Sequence, residues 1–366
     1  MKKSVPRSCI GVLTFTAVFV LSLTINATTV SAASTSTHPQ QTYRPRDYRL
    51  KMHTLGSLPS ISVNRSPKAA VGLATWSSSF TYKGKSYPYT MVGTNPASGS
   101  QTTTIPVDII PLNLVFTDGV SLNGQNIAST ITGSAIFQDA PFVTGTTQYL
   151  DAFQRGAFWS SVAKTSPDYH VLLGTPTVKP TVTLRVPLAS GSHLIDSKGK
   201  SIGLVDIRWF SPKADQLTAQ NNAPDHLVVF LALNIYEYEG NPTLCCIGGY
   251  HTAVQNNGHT YTYVYAAYDQ AADVFKDIDA LSHEIAEWGS DPLINNMTPN
   301  WYASGYGCSN MLEVGDPAVG TDFLVNGLHF QDEVNLSWFA RETPSQGYQG
   351  RYDYLDKLFH SPAKDC

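Results

Sequence analysis

The sequence predicts an α+β protein, with a β-rich region over residues 61–220 and a helix-bearing C-terminal half over residues 221–366. Stretches rich in β-branched residues and broken by Pro and Gly, such as "TTTIPVDIIPLNLVFTDG", dominate the first region. The composition then changes, because all seven Glu residues lie at or after Glu237. An apolar stripe with helical spacing over residues 271–289 completes the evidence for a mixed fold.

The N-terminus has the pattern of an export signal. Its first positions carry three cations, Lys2, Lys3 and Arg7. An apolar stretch over residues 9–25 follows, and the small residues of "VSA" end at Ala32. We expect cleavage after Ala32 rather than a retained anchor, which would leave a secreted protein without stable membrane association. Residues 33–60 are polar and contain several Pro, as in a flexible leader or pro-segment.

The charge balance argues against a nucleic-acid partner. The chain has 24 basic and 28 acidic residues, a net charge of −4. Removing the three cations of the signal changes this to 21 minus 28, or −7. No basic run follows the N-terminus, so binding to a phosphate backbone is not expected.

The cysteines predict disulfide bonds. Cleavage would remove Cys9 and leave Cys245, Cys246, Cys308 and Cys366. An even count in an exported chain favours two disulfides, with three possible connectivities. Because a bond between adjacent residues strains the peptide between them, we expect one of the adjacent pair to reach Cys308 and the other Cys366. The alternative, a Cys metal site, has no C-x-x-C spacing to support it.

The elements of the chain can be placed in order. A helix is predicted over residues 147–164, where Leu150, Phe153, Phe158 and Val162 fall on one face. An apolar strand is predicted over residues 226–236.

A hairpin should follow that strand, with Asn257-Gly258 as its turn and "TYTYVYAAY" as its returning strand. The helix over residues 271–289 comes next. Its buried stripe comprises Val274, Ile278, Leu281, Ile285 and Trp288. Gly289 and Pro292 are expected to end it.

This helix carries the motif H-E-x-x-E. His283 and Glu287 are four residues apart and therefore project from one face, where an imidazole and a carboxylate can bind one ion. Glu284 is rotated by about 100° and can reach a water on that ion. The H-E-x-x-H zinc hydrolases use the same geometry, with their Glu as general base. The alternative is the solvated face of an ordinary helix.

A metal site needs at least a third protein ligand. The turn "GCSNMLEVGDP" offers Glu313 as first choice and Asp316 as second, either as ligand or as a group that orients one. His251 is a further candidate, although a structural role on the hairpin suits it equally. Zn²⁺ is the expected ion, and Ca²⁺ is the alternative if the site is structural.

The run "LSHEIAEWGSDPLINNMTPNWYASGYGCSNMLEVGDP" resembles a set of exported bacterial proteins. They share H-E-[LI]-x-E, a T/S-D-P turn, an N-x-W-Y segment and E-x-G-D. The plant phosphate-induced, EXORDIUM-like family is similar at a greater distance. The resemblance covers residues 226–366 and implies a zincin-like metal site in the C-terminal half. Glu287 stands where true zincin peptidases have a second His.

Two functions from different classes are compatible with these observations. The first is an exported zinc-dependent hydrolase, a peptidase in which Glu284 activates a metal-bound water and "TYTYVYAAY" is the edge strand that holds an extended polypeptide. The alternative is a non-catalytic protein that binds carbohydrate or cell wall and has a structural metal. Its binding surface would comprise Tyr261, Tyr263, Tyr265, Trp288 and Trp301. The sequence leaves the oligomeric state open.

Overall fold

The computed structural model describes residues 72–366 except Ser100, Ser197, Asn222, Ala271, Asp273, Val274 and Gly305. The expected signal over residues 1–32 and the leader over residues 33–60 lie outside this part of the chain. All described residues belong to one unit, Pro45–Cys366. Strands and helices are mixed throughout, which confirms the α+β class. Among the described residues, no helix is long and apolar enough to span a membrane.

Short strands and three helices make up residues 72–221. The strands are β1 (Thr75–Tyr82), β2 (Lys85–Val92), β3 (Thr102–Ile105), β4 (Val107–Val115), β5 (Ser121–Asn123), β6 (Ala140–Phe142), β7 (Gly145–Thr147), β8 (His170–Leu173), β9 (Thr177–Val178), β10 (Val182–Arg185), β11 (Gly191–Ile195) and β12 (Ser201–Asp206). The helices are α1 (Ala128–Thr132), α2 (Tyr149–Ala157) and α3 (Ile207–Asn221).

The remaining residues contain the longest strand and the motif helix. The strands are β13 (Leu227–Leu233), β14 (Ile235–Tyr238), β15 (Gly249–Asn256), β16 (His259–Tyr268), β17 (Met297–Ala303), β18 (Gly307–Met311), β19 (Asp322–Val325) and β20 (Leu328–Gln331). The helices are α4 (Asp279–Ser290) and α5 (Leu336–Phe339). Short 3₁₀ turns lie at Pro96–Ser98, Gly124–Ile127, Pro242–Leu244, Asp316–Ala318 and Tyr348–Gly350.

The main sheet has the strand order β10-β4-β13-β16-β15, and β5 and β9 also pair with β4. Strands β10, β4, β13 and β16 are parallel to one another, whereas β15 runs antiparallel to β16 at the edge. Strand β4 comes from the predicted N-terminal region and β13 from the C-terminal half. One sheet therefore crosses the composition change near residue 221.

Helices cover both faces of this sheet. On one face, Leu227 and Leu231 of β13 belong to the core that includes residues of α2 and α4. On the other face, Val228 and Phe230 belong to a second core with Phe210 of α3. Every residue of β13 is buried, as expected for a strand covered on both faces, and this explains its continuous apolar run.

The helix predictions were partly confirmed. Helix α2 lies inside the predicted range 147–164 but ends at Ala157, so Leu150 and Phe153 belong to it whereas Phe158 and Val162 follow it. All four residues are buried. Helix α3 was not predicted, because Pro212 interrupts its sequence and its apolar residues form no strong stripe.

The hairpin prediction was confirmed, and the edge-strand prediction was wrong. Asn257 and Gly258 have φ values of 51° and 80°, as a tight turn between β15 and β16 requires. The segment "TYTYVYAAY" lies in β16, which pairs with β13 on one side and β15 on the other. The edge strand is β15. The apolar strand over residues 226–236 is divided at Asn234, whose φ is 52°.

The motif helix begins later than predicted. Helix α4 starts at Asp279 rather than near residue 271. The preceding chain cannot be helical at Ala272 and Asp277, because their φ values are 52° and 35°. Asp269 closes this turn by accepting hydrogen bonds from the backbone N–H groups of Ala272 and Phe275. Val274 of the expected stripe lies outside the described residues.

All four expected cysteines form disulfides, but the predicted pairing was wrong. Cys245 bonds to its neighbour Cys246, and Cys308 bonds to Cys366. The peptide bond between Cys245 and Cys246 is cis, and their Cα atoms lie 3.0 Å apart. The second disulfide attaches the C-terminus to β18.

Candidate metal centre

Helix α4 places the three motif residues in the interior of the protein. His283, Glu284 and Glu287 are each at most 3% exposed, so the solvated-helix interpretation does not hold. The Nε2 atom of His283 lies 3.1 Å from Oε2 of Glu287, one helical turn away. Oε1 of Glu284 lies 3.9 Å from the same Nε2.

His251 belongs to the same cluster. Pairing of the edge strand β15 with β16 brings it beside α4, where its Nδ1 lies 3.2 Å from Oε2 of Glu284. The distance from Nδ1 to Oε2 of Glu287 is 3.8 Å. Gly249 permits this close approach of strand and helix, since a Cβ there would lie 2.7 Å from Cγ of Glu284. His251, which the sequence offered as a further candidate ligand, is therefore in contact with Glu284 of the H-E-x-x-E motif.

Glu313 and Asp316 reach the cluster from the loop after β18. The backbone N–H groups of Gly315 and Asp316 both donate to Oε1 of Glu287, which ties the loop to α4. Oε2 of Glu313 lies 3.7 Å from Nε2 of His251. Oδ1 of Asp316 lies 3.7 Å from Nε2 of His283. Each of the two candidates thus approaches a different histidine.

Sequence reasoning missed the residue that orients His283. Oε1 of Gln331, at the end of β20, lies 3.0 Å from Nδ1 of His283. The Gln331 side chain also donates to the carbonyl of Gly315, and its backbone N–H donates to Ser282. Because an amide oxygen only accepts, His283 carries a proton on Nδ1, and in the neutral imidazole the Nε2 lone pair faces the cluster. Gln331 lies 48 residues from His283, and no local sequence motif predicts their contact.

Gly315 provides the space for this arrangement. A Cβ at this position would lie 2.5 Å from Nδ1 of His283 and 2.9 Å from Oε2 of Glu333. A side chain there would displace the imidazole or the loop. The requirement for Gly in "EVGD" therefore comes from close packing against His283.

Several ligand atoms of the cluster have no hydrogen-bonding partner. Among the described residues, the buried atoms without one include His283 Nε2, both carboxylate oxygens of Glu313 and Asp316 Oδ1. His283 Nε2 and Glu287 Oε2 lie 3.1 Å apart, close enough to bind the same ion. Buried polar atoms are normally paired, and atoms that converge without pairing suit the ligands of a shared ion.

The electrostatics show how strongly these groups influence one another. Burial raises the pKa of Glu313 well above its ordinary value, and the carboxylates of Glu287 and Asp291 add to the shift. Burial likewise raises the pKa of Asp316, with Glu287 contributing. Burial opposes the charge on His283, but Glu287 and Glu284 raise its pKa well above the ordinary value. Positive charge, from protons or from a metal, is needed here.

The chemistry of the donors fits a transition metal. Two sets of three ligand atoms lie within 4.8 Å of one another: His251, Glu287 and Glu313, and His283, Glu284 and Glu287. Mixed imidazole and carboxylate ligands suit zinc and related ions, whereas calcium takes oxygen ligands.

A small cavity opens beside the cluster. It has a volume of about 20 Å³, and the residues that line it include His283, Glu284, Cys246, Ile247 and Phe275. Asp279 also reaches it, and burial raises the pKa of this carboxyl to about 7. A ligand in this cavity would lie between an apolar wall and the metal-binding groups.

The aromatic residues considered for a binding surface are mostly interior. Tyr263, Tyr265, Trp288 and Trp301 are each at most 1% exposed. Their rings pack in the protein core, as for Trp288, whose indole N–H donates to Thr262. They do not form a platform for carbohydrate.

Comparison with known proteins adds no family to this description. No family model matches the chain, and neither the curated proteins nor the solved structures contain a match.

Proposed function

We propose that this protein is an exported zinc-dependent hydrolase that cleaves polypeptides. The observation that carries the proposal is the convergence of His283 Nε2, Glu287 and the unpartnered oxygens of Glu313 and Asp316 within the protein interior. His283 and Glu287 are the proposed ligands from α4. Glu313 was the expected third ligand, and Asp316 competes with it by its distance to His283.

Glu284 is the proposed general base. When bound, zinc supplies a Lewis acid that polarises the scissile carbonyl and lowers the pKa of water. Glu284 lines the cavity and lies 3.9 Å from the metal-binding nitrogen of His283. Burial raises the pKa of Glu284, although His251 and His283 counteract the shift. A carboxyl with a raised pKa is suited to take a proton from water and return it to the leaving amine.

The edge strand β15 supports a polypeptide substrate. It carries His251, whose side chain lies in the cluster, and in the main sheet of the described residues it pairs with β16 alone. An extended peptide can add to such an edge through backbone hydrogen bonds. Substrate bound in this way would present a carbonyl to the cluster.

The proposed export of the protein rests on the sequence of residues 1–32. The alternative function, a carbohydrate-binding protein with structural calcium, has less support. Its aromatic surface is buried, and two imidazoles are poor ligands for calcium.

The test compares three zinc-loaded proteins: wild type, Glu284→Gln and the control Glu342→Gln. Glu342 contacts Ser337 near α5 and has no role in the proposed chemistry. We expect cleavage of casein or a peptide library by wild type and control, with a loss of about 10²–10⁴-fold in kcat for Glu284→Gln at unchanged zinc content. Equal cleavage by all three proteins, or by none, would overturn the proposal.

A further inference from the structure

The cluster contains more ligand groups than one ion requires. A catalytic zinc ion uses three protein ligands and keeps an open position. Six side chains converge here: His251, His283, Glu284, Glu287, Glu313 and Asp316. Even with Glu284 reserved as the general base, five potential ligands remain.

These potential ligands form two groups, one at each end of the cluster, and Glu287 is close to both. His283 and Asp316 approach each other at one end, with 3.7 Å between Nε2 and Oδ1. His251 and Glu313 lie at the other end, where each of them and Glu287 places one ligand atom within 4.8 Å of the other two. Glu287 Oε2 lies 3.1 Å from His283 Nε2 and 3.8 Å from His251 Nδ1. Both ends retain unpartnered oxygens, one at Asp316 and two at Glu313.

Each histidine is held from outside the cluster. His283 is oriented by Gln331, and Nε2 of His251 lies 3.2 Å from the carbonyl oxygen of Asp291. A carbonyl only accepts, so His251 carries its proton on Nε2 when neutral, and its Nδ1 then faces the carboxylates of Glu284, at 3.2 Å, and Glu287, at 3.8 Å. External acceptors of this kind are typical of imidazoles that bind metals.

The formal charge also exceeds what one ion can neutralise. Glu284, Glu287, Glu313 and Asp316 would carry four negative charges, and each residue is at most 2% exposed. One divalent cation would leave two of these carboxylates to be neutralised by protons. Two divalent cations balance all four, which satisfies the requirement that buried charges be paired or bound to metal.

We propose that the cluster binds two divalent transition-metal ions, one between His283 and Asp316 and one between His251 and Glu313, with Glu287 shared by both. This inference rests on the proposed metal site and adds a second ion to it. It also explains why Glu313 and Asp316 both suit the role of third ligand, since each serves a different ion. Two-metal hydrolases hold their ions about 3.5–4 Å apart.

The test counts ions in the full mature chain. Wild type, Glu313→Gln, Asp316→Asn and the control Glu333→Gln are stripped with chelator, dialysed against zinc chloride and measured by elemental analysis. Glu333 is buried near His283, and its Oε1 accepts a hydrogen bond from Tyr149 while its Oε2 has no partner among the described residues. It is the matched control because it belongs to neither set of ligand residues. Circular dichroism verifies that each variant is folded. A parallel sample loaded with Mn²⁺ is examined by electron paramagnetic resonance.

We expect two zinc ions per chain in wild type and Glu333→Gln, and one in each of the other two variants. The Mn²⁺ spectrum should show magnetic coupling in wild type and an isolated ion in Glu313→Gln. A single ion in wild type would overturn this inference and leave the proposed function intact. No ion in wild type would overturn both. Two ions retained in Glu313→Gln or Asp316→Asn would refute the assignment of ligands.

Discussion

Two groups of buried carboxylates in this protein differ in the hydrogen bonds that their oxygens accept. Asp353 accepts hydrogen bonds through both oxygens from the backbone N–H groups of Lys357, Leu358 and Phe359. Neighbouring Asp332 accepts them from Glu333 and Leu355 through Oδ1, while its Oδ2 has no hydrogen-bonding partner among the described residues. These bonds hold loops in place. In the cluster around α4, both oxygens of Glu313 and one of Asp316 have no partner among the described residues. The first group holds loops in place, whereas the unpartnered oxygens of the second suit the proposed metal ions.

The comparison can be tested by neutralising one carboxylate in each group. Asp353→Asn should lower the free energy of unfolding by about 2–3 kcal/mol, because an amide cannot accept all three backbone hydrogen bonds. Glu313→Gln should raise it by about 1 kcal/mol in chelator, because it removes an unpartnered buried carboxylate. Urea unfolding of metal-free protein measures both. Changes of the same sign would remove the distinction between the groups.

Gly315→Ala tests the close contact between the loop after β18 and His283 of α4. The new Cβ would lie 2.5 Å from Nδ1 of His283, so we expect a loss of about 1–3 kcal/mol in stability together with weaker zinc binding. Gly174→Ala is the matched control, since its Cβ would find its nearest atoms at an ordinary 3.4 Å. Isothermal titration with zinc distinguishes them. Unchanged zinc affinity in Gly315→Ala would contradict the role assigned to His283.

Gln331→Ala tests the orientation of the same imidazole. Loss of an outer partner of a metal-binding His typically weakens metal binding by about 10–100-fold, and we expect this for zinc. The control is Gln148→Ala, which removes another buried amide, one that bonds to Phe137 and Leu173. Both variants should be destabilised, but only Gln331→Ala should lose affinity. Equal affinities in the two would show that Gln331 has only a structural role.

Asp332→Asn tests the first group by its pH dependence. Burial, with Asp353 adding to it, raises the pKa of Asp332 to about 8, far above the value of about 3.9 in an unfolded chain. The folded protein therefore retains this proton, and its stabilising effect falls as the pH rises above about 4 and is gone once the pH has passed about 8. Between pH 7 and 9, wild type should lose about 1.4 kcal/mol more than the variant.

Urea unfolding at the two pH values, in chelator, measures this difference. Asp356→Asn, a change at the nearby surface, serves as the control and should follow wild type. If Asp332→Asn also follows wild type, the carboxyl does not hold its proton in the folded state.

Local patterns predicted much of this structure. The i, i+4 spacing placed His283 against Glu287, and Asn257-Gly258 formed the expected turn. Contacts between distant segments were harder to foresee. The neighbours of β16 in the sheet depend on its pairing with β13, and no local pattern encodes that pairing. The contact of Gln331 with His283 is equally non-local, and its residue type has no periodic signal.

In the candidate site, too, the residue types were predicted from the sequence, but the contacts between distant segments were not. Glu313 and Asp316 were identified by their residue types and by a resemblance, but their separate approaches to His251 and His283 depend on how loop, strand and helix meet. The cysteine pairing failed for a related reason. Cys308 and Cys366 are 58 residues apart, and only the folded chain brings β18 and the C-terminus together.

The measurement that tests the central claim most directly is the zinc content of the mature protein after equilibrium dialysis, beside Glu287→Gln and Asp353→Asn. Glu287 belongs to both sets of ligand residues. Asp353 belongs to neither set, and it accepts a hydrogen bond from the backbone N–H group of Lys357. We predict bound zinc in wild type and Asp353→Asn and none in Glu287→Gln. Absence of zinc from wild type, or undiminished zinc in Glu287→Gln, would contradict the claim that this buried cluster is a metal centre.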